Sequence, residues 1–315
     1  MHAELYNLLV VLGPTASGKT RLAIELARKL HGEVISADSR QVYRGLDIGS
    51  GKDLAEYQEI PYHLIDIVDP GVEYSVFHFQ RDCFAACEDI VSRGRQPIVA
   101  GGTGLYLDAV CQNFALQEVA INPTLREELA TLSLEQLQQR LLALKPEQHN
   151  DTDMATRPRL VRAIEIAQAT ASGEVIHSPS YPKVQPLYFG IQWERPVLRK
   201  RITERLKQRL QEGMIEEVEQ LHSQGVSYDT LEFYGLEYRM VAQYLKGELS
   251  YNDMFQKLNS QIHQFAKRQD TWFRKMQRRG DAIHWLTPEQ DLVEQALPII
   301  EGRDYQPLSF RSESQ

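Results

Sequence analysis

This 315-residue sequence has few cysteines, no long apolar run and no excess of basic residues. Its three cysteines are too few and too unevenly placed for a disulfide framework, which fits a reducing compartment. No stretch approaches the roughly 18 apolar residues of a membrane span, and the apolar run near the start has neither a basic leader nor a small-residue cleavage site. We therefore expect a cytoplasmic protein with no membrane partner, and we expect it to act as a monomer.

Two of the cysteines, Cys83 and Cys87, are four residues apart, and a metal pair there is conceivable. Phe79, Ala86 and Ile90 share one helical stripe with them. We therefore interpret the two thiols as small buried groups of a helix.

The net charge of −8 argues against a general nucleic-acid coat protein. Basic residues nevertheless cluster in two late segments, 195–209 and 257–279. Each cluster is open to two interpretations, a solvated helix face or a surface for a polyanion.

Strand-like and helix-like segments alternate in the first third of the chain, with helices expected near 19–30 and 78–93. This alternation predicts an α/β fold with a mostly parallel sheet flanked by helices, whose ligand lies at the carboxyl ends of the strands. The strand-like runs are LLVVLG (8–13), EVISAD (33–38), HLIDIVD (63–69) and PIVAGGTG (97–104).

Residues 122–172 are rich in Leu, Glu and Gln and contain no strand-like run, which predicts a helical insertion. LYFGIQW at 187–193 has the composition of a strand that rejoins the sheet. A long amphipathic helix is predicted next by Leu198, Ile202, Leu206 and Leu210. We place the catalytic core at 1–115 and 186–315, and a mainly helical insertion domain at 116–185.

The clearest motif is GPTASGKT, which matches G-x-x-x-x-G-K-[ST] between a strand and a helix. Its backbone N–H groups form an anion nest, Lys19 adds a cation, and the Thr20 hydroxyl is placed for Mg²⁺. The motif predicts a bound phosphate chain but does not choose ATP over another diphosphate. Its phosphate-binding residues are Gly13, Thr15, Ala16, Ser17, Gly18, Lys19 and Thr20.

Two carboxylates are candidates for the chemistry beside this loop. Asp38 ends a predicted strand at the edge where the phosphate loop opens, which makes it a candidate base. Asp66 could be the metal-ordering acid of a nucleoside-triphosphate hydrolase, because the strand at 97–100 ends in GGTG and supplies none.

Several segments together resemble the tRNA dimethylallyltransferase (tRNA isopentenyltransferase) family, in the family's order and over most of the chain. DSRQVYRGLDIG joined to GGTGLY is the most specific part. The matching segments are GPTASGKT (13–20), ISADSRQVYRGLDIGSGK (35–52), YHLIDIVDP (62–70), YSVFHF (74–79), AGGTGLYLDAV (100–110), RAIEI (162–166) and AKRQDTWFR (266–274).

The resemblance implies a P-loop NTPase-like fold that holds the pyrophosphate of dimethylallyl diphosphate. The acceptor would be the N6 amine of the adenine 3′-adjacent to the tRNA anticodon, flipped out of the anticodon stem-loop. Asp38 matches the family's catalytic Asp, which takes the N6 proton, and Thr103 matches a Thr beside the reacting centre. Mg²⁺ and arginines would stabilise the departing diphosphate.

The same resemblance implies that the insertion domain at 116–185 contacts tRNA, and it assigns the remaining site residues. Further diphosphate contacts would come from Arg201 and Arg205. Contacts with tRNA would come from Asp38, Ser39, Arg40, Gln41, Thr103, Pro158, Arg159, Leu160, Val161, Arg162, Tyr238, Arg239, Lys267, Arg268, Gln269, Trp272 and Arg274. The spacing of Trp272 from Phe265 and Met276 also fits a core position.

The sequence departs from the common family pattern in four places. The usual GTAK reads Gly49-Ser50-Gly51-Lys52, the paired His before LID is Tyr62-His63, residues 144–162 diverge, and His263 stands where an Arg is expected. Two other functions stay open on the same scaffold: an ATP-dependent small-molecule or nucleoside kinase, and an RNA-binding protein without catalysis.

Overall fold

The computed structural model describes residues 4–146, 156–173 and 180–310. The chain forms two compact units. Met1–Phe114 and Tyr181–Gln315 form the first unit, and Ala115–Ser180 form the second.

A six-stranded, all-parallel sheet is the centre of the first unit, with the strand order β4-β3-β5-β2-β6-β7. A separate two-stranded parallel pair joins β1 and β8. The strands are β1 Leu5–Tyr6, β2 Leu8–Leu12, β3 Gly32–Ala37, β4 Tyr62–His63, β5 Gln96–Gly101, β6 Pro186–Ile191, β7 Ile283–Leu286 and β8 Asp304–Tyr305.

Helices cover both faces of this sheet, as an all-parallel sheet requires. The helices of both units, within the described residues, are α1 Lys19–Leu30, α2 Val76–Ser92, α3 Gly104–Cys111, α4 Pro123–Ala130, α5 Leu134–Leu144, α6 Arg157–Ser172, α7 Arg195–Gln211, α8 Met214–Ser223, α9 Tyr228–Phe233, α10 Leu236–Leu245, α11 Tyr251–Arg279 and α12 Leu292–Glu301; α4, α5 and α6 belong to the second unit. No helix in the described part of the chain is both long enough and apolar enough to cross a membrane.

The central strand β2 shows why a sheet covered by helices on both faces suits this sequence. All five of its side chains are fully buried, because alternate residues face opposite helical layers. Leu8, Val10 and Leu12 pack in one cluster with α2 and α3, whereas Leu9 and Val11 pack in the other with α1. A continuous apolar run is therefore what this position in the sheet needs.

Most of the predicted elements are confirmed. Strand β6 pairs with β2 and so rejoins the sheet. Helix α7 buries Leu198, Ile202 and Leu206, and α2 buries both Cys83 and Cys87 on its inner stripe.

The prediction of a strand over 63–69 is wrong. Strand β4 ends at His63, because Leu64 and Asp66 adopt left-handed backbone conformations with φ of 61° and 57°. The turn brings the Asp66 carboxylate to the buried ammonium of Lys52, and Asp47 is the second acid of that cluster. A buried cation needs carboxylate partners. Leaving Lys52 without them would cost more than the strand preference of residues 64–69 contributes.

The second unit contains α4, α5 and α6 in its described residues, with no strand there. Its small core consists of leucines and an isoleucine, among them Leu160. Glu165 is buried and accepts hydrogen bonds from Arg126 and Arg162, so its charge is compensated. Apolar and ionic contacts together hold these helices.

A buried carboxylate, Glu33, lies at the end of the sheet opposite to the phosphate loop. Glu33 at the start of β3 is fully buried and binds Arg93 at 2.5 and 3.0 Å and His63 at 2.7 Å. Burial by itself raises the pKa of Glu33, but the hydrogen bonds from His63 and Arg93 outweigh burial and hold that pKa below its usual range.

We predict that Glu33→Gln lowers the free energy of unfolding by about 1.5–3 kcal/mol at pH 7, because a neutral amide at this buried position loses the charge-assisted hydrogen bonds from Arg93 and His63. The stabilisation by Glu33 is complete above its unfolded pKa and is lost as the pH falls through the lowered folded pKa. The difference in the free energy of unfolding between the wild type and Glu33→Gln should therefore shrink below about pH 4. Urea unfolding across pH measures this. Glu59→Gln, in an exposed pair with Arg28, is the control and should change little; equal effects of both variants would contradict the prediction.

Candidate active site

Three loops meet at the carboxyl edge of the sheet because their strands are neighbours in register. Gly101 at the end of β5 is paired with Ala37 of β3 on one side and with Leu12 of β2 on the other. The phosphate loop, Asp38 and Thr103 follow these three ends directly. The Thr103 N–H donates to the Ala37 carbonyl at 3.4 Å, which fixes Thr103 next to the backbone of Asp38.

The phosphate loop has the backbone conformation that its motif requires. Gly18 has a φ of +92°, which is costly for other residues, and helix α1 begins directly after it with no side-chain cap. The first N–H groups of α1 therefore have no partner within the helix, and the helix dipole favours an anion there. An anion-binding site of this type suits phosphate oxygens.

A cavity of about 370 Å³ opens at this helix start. Burial lowers the pKa of the Lys19 ammonium to about 8; the charge of Asp38 opposes this shift, and those of Arg205 and Arg209 add to it. The cavity is lined by Ala16, Ser17, Gly18, Lys19, Thr20, Arg21, Asp53, Glu56, Arg201, Glu204, Arg205, Gln208, Arg209 and Glu212.

Helix α7 brings arginines to the cavity. The Arg201 Nε donates to the Ala16 carbonyl at 3.0 Å, and its guanidinium lies 4.3 Å from the ring centre of Trp193. The Trp193 indole N–H in turn donates to the Ser17 carbonyl at 2.9 Å. Arg201 and Trp193 thus support the phosphate loop, and Arg201 also lines the cavity, as do Arg205 and its ion-pair partner Asp53.

Arg209 was not among the predicted site residues, although it lines the same cavity. The signal in the sequence was its spacing: residues 201, 205 and 209 follow each other at four-residue intervals on one helix face.

The segment after β3 holds Asp38 by local hydrogen bonds. The Arg40 N–H donates to the Asp38 carboxylate at 2.9 Å. Gln41 is buried, accepts from the Ser36 hydroxyl at 2.7 Å and donates to the Gly51 carbonyl at 2.9 Å. Its polar ends are occupied, so the Gln41 side chain positions this loop, whereas Ser39 and Arg40 are half-buried beside it.

Gln269 on α11 links two of the three loops. Its Oε1 accepts from the Thr15 N–H at 2.9 Å, and its Nε2 donates to the Gly102 carbonyl at 3.0 Å. The side chain is buried and both of its polar ends are engaged. We therefore assign Gln269 to positioning the phosphate loop and the GGTG loop, and do not expect its side chain to touch tRNA.

Trp272 lies one turn further along α11 and is half-buried. Its indole N–H donates to the Asp108 carboxylate at 2.9 Å, and its ring packs on Gly104, where a Cβ would lie 2.6 Å from Nε1. Glycine at this position is therefore required by the ring. The contacts favour the core interpretation of Trp272, and the Lys275 ammonium lies over its ring, 5.2 Å from the ring centre.

The other residues predicted to contact tRNA in the first unit are either exposed or buried. The side chains of Arg239, Lys267, Arg268 and Arg274 are exposed on α10 and α11. Tyr238 is buried and donates to Glu217 at 2.7 Å, so we assign it to packing.

In the second unit, Pro158 and Arg159 are exposed and Val161 is half-buried. Leu160 is fully buried, and Arg162 pairs with Glu165 at 3.1 Å. We therefore assign Leu160 to the core of this unit. Residues 147–155 of the divergent segment lie outside the described residues.

The donor set at the cavity fits Mg²⁺. The Thr20 hydroxyl and the carboxylates of Asp53 and Glu56 are hard oxygen donors that line the cavity, and the buried Ser17 hydroxyl has no hydrogen-bond partner in the described structure. No group of three or more His, Cys, Asp or Glu with metal-site geometry occurs among the described residues. Mg²⁺ keeps several waters and takes few protein ligands when phosphates supply the rest, so a single hydroxyl is sufficient.

Asp66 does not lie at the phosphate loop. It follows β4, and β3 and β5 separate that strand from β2. Its carboxylate is bound to Lys52, so it serves the buried ion cluster and does not act as a metal-ordering acid.

The fold and this site define an α/β protein with a P-loop-type phosphate site, a P-loop NTPase-like architecture. A family model described as IPP transferase matches residues 41–276, and one described as isopentenyl transferase matches residues 6–61. The chain therefore belongs to the IPP transferase family. The family, the fold class and the kind of enzyme expected from the sequence are confirmed.

Relatives and solved structures agree with this assignment. A protein of Geotalea uraniireducens named tRNA dimethylallyltransferase 1 is 62% identical over 294 residues, covering 93% of this chain and 97% of the relative. The crystal structure of a tRNA isopentenylpyrophosphate transferase from Bacillus halodurans has a TM-score of 0.68 and 34% identity, covering 94% of this chain and 95% of that one. A structure of a eukaryotic dimethylallyltransferase acting on tRNA has a TM-score of 0.76 at 24% identity, covering 96% of this chain and 81% of that one, a likeness of fold.

We predict that Gln269→Leu lowers the free energy of unfolding by about 1–3 kcal/mol, because the Thr15 N–H and the Gly102 carbonyl lose their partner. Pyrophosphate should also bind less tightly, since the phosphate loop loses its support. Urea unfolding and calorimetric titration with pyrophosphate measure the two effects. Gln264→Leu, at an exposed position of the same helix, is the control; unchanged affinity in Gln269→Leu would contradict the positioning role.

Proposed function

We propose that this enzyme transfers the dimethylallyl group of dimethylallyl diphosphate to the N6 amine of the adenine 3′-adjacent to the tRNA anticodon, releasing diphosphate. Prenyl transfer to tRNA is confirmed by the family match and by the names of close relatives. The single structural observation that supports the finer statement is the shared register of Leu12, Gly101 and Ala37, which sets a carboxylate beside a phosphate site.

The acceptor nitrogen explains the need for Asp38. The N6 lone pair is delocalised into the adenine ring, so the nitrogen is a weak nucleophile. As it attacks the prenyl carbon, the carbon–oxygen bond to the diphosphate breaks, and the Asp38 carboxylate takes the N6 proton. Thr103, fixed beside Ala37, contributes a hydroxyl at the same strand edge.

Negative charge grows on the departing diphosphate, and the cavity is built to stabilise it. The amides at the start of α1, Lys19 and Arg205 supply positive charge and donors that are already in place. A bound Mg²⁺ ion would neutralise part of the diphosphate charge, and we propose that Thr20 holds it.

The tRNA surface of this proposal lies on α10 and α11 of the first unit. An open groove of about 620 Å³ there carries three exposed cations among polar side chains, which suits phosphates of an RNA backbone. Its lining residues are Leu236, Arg239, Gln256, Lys257, Ser260, Gln261, Gln264 and Arg268. In the second unit, the exposed Arg159 offers a further contact.

The kinase alternative is disfavoured by Asp66, because its carboxylate is bound to Lys52 and not placed at the phosphate loop. We also propose that the enzyme works in the cytoplasm and as a monomer. Incubation with unmodified tRNA, labelled dimethylallyl diphosphate and Mg²⁺, followed by nucleoside analysis, should give labelled N6-prenyladenosine. ATP turnover without label transfer would support the kinase, and tRNA binding alone would support a non-catalytic binder.

We predict that Asp38→Asn lowers the single-turnover rate by about 10²–10⁴-fold, because the amide keeps the shape but cannot accept a proton. Both substrates should still bind. Rapid-quench measurement with saturating enzyme tests the rate, and Asp69→Asn, an exposed carboxylate paired with Arg44, is the control. A wild-type rate in Asp38→Asn would refute the assignment of the base.

We predict that Lys267→Ala, Arg268→Ala and Arg274→Ala each weaken tRNA binding and flatten its salt dependence. Each phosphate contact removed should reduce the slope of log K against log salt by about 0.7–1. Affinity measured between low and physiological salt tests this. Lys29→Ala is the control, since it removes an exposed cation in the last turn of α1, at the opposite end of that helix from the phosphate loop. If all three variants keep the wild-type slope, these exposed cations of α11 are solvated side chains and not RNA contacts.

A further inference from the structure

Arg209 is a buried cation whose charge nothing in the site so far explains. Its side chain is 8% exposed, and its one hydrogen bond in the described structure runs from Nη1 to the Gly49 carbonyl at 3.3 Å. A guanidinium has five N–H donors, so most of its donors remain for another partner. The residue lines the same cavity as Lys19.

No carboxylate of the described residues forms an ion pair with Arg209. Asp53, an acid of the same cavity wall, is already paired with Arg205. Burial, followed by the charge of Arg205, holds the pKa of Arg209 below its usual range, and the charges of Glu237 and Asp53 oppose that shift without offsetting it. A buried guanidinium with no carboxylate in direct contact is costly, and a bound anion would supply the missing partner.

Gly51 makes room for this guanidinium. A Cβ at Gly51 would lie 2.6 Å from Cζ of Arg209 and 2.9 Å from Nη2 of Arg205, well inside contact distance. Gly51 also has a φ of +67°, which disfavours other residues. This is the position where the chain has glycine in place of the alanine of the more common GTAK sequence.

We propose that Arg209 is a ligand of the diphosphate, a third arginine beside Arg201 and Arg205, admitted to the cavity by the missing side chain at Gly51. The inference rests on the proposed function, because it takes the cavity as the diphosphate site. A planar guanidinium can bind two phosphate oxygens at once, whereas a lysine ammonium at this position would act only as a point charge.

Calorimetric titration of the full chain with inorganic pyrophosphate and Mg²⁺ tests the proposal. Arg209→Met should weaken pyrophosphate binding about ten- to hundredfold, the effect of losing hydrogen bonds to a charged group. Arg209→Lys should weaken pyrophosphate binding less than Arg209→Met does, and neither variant should change the affinity for tRNA. Lys207→Met, an exposed cation on the same helix, is the matched control and should bind as wild type.

Gly51→Ala provides an independent test, because an added methyl group displaces the guanidinium. Introduced alone, Gly51→Ala should weaken pyrophosphate binding. Introduced together with Arg209→Met, it should weaken binding little further, because the effects of two coupled residues do not add. Should Arg209→Met fail to fold, Arg209→Lys and Gly51→Ala decide, and wild-type affinity in both would overturn the proposal.

Failure of the proposed function has a different signature. If wild-type protein does not bind pyrophosphate, the cavity is not a diphosphate site and both proposals fall. If Lys19→Ala abolishes binding while Arg209→Met binds as wild type, only the role of Arg209 is overturned.

Discussion

One row of paired residues across the sheet determines the geometry of this enzyme. Ala37, Gly101 and Leu12 are adjacent in the parallel ladder, so the chain leaves β3, β5 and β2 at the same level. Every loop that follows must then share one narrow edge of the sheet. A shift of one residue in any of these pairings would turn the side chains of that strand to the opposite face and move its loop away from the others. The buried apolar strands, with both faces covered, prevent that shift.

The loops themselves are held by side chains from distant parts of the chain. Gln269 lies 254 residues after Thr15, yet its amide joins the phosphate loop to the GGTG loop. Trp193 and Arg201 donate hydrogen bonds to two carbonyls of the phosphate loop, those of Ser17 and Ala16. The backbone that would contact the leaving group is therefore fixed before any ligand arrives, which avoids reorganisation during the reaction.

Much of this arrangement could be predicted from the sequence, because its signals are local. A glycine-rich motif between a strand and a helix, and polar residues at strand ends, predict the phosphate loop and the place of Asp38. Contacts between residues far apart in the chain give no such signal. The roles of Gln269 and Lys52 depend on which partners the fold brings to them, and the left-handed turn at Asp66 follows from the buried Lys52 and not from local propensity. The divergent Gly51 stood out in the sequence, but its meaning depends on the position of Arg209.

The low pKa of Lys19 has a consequence for the thermodynamics of the phosphate site. In the free protein this ammonium titrates at about 8, so part of the population is uncharged in mildly alkaline solution. An anion that binds beside Lys19 favours its protonated form and raises that pKa. Binding is then linked to proton uptake near pH 8, and the heat of binding depends on the ionisation enthalpy of the buffer. Near that pH, the phosphate loop thus takes up protons when an anion enters it and releases them when the anion leaves.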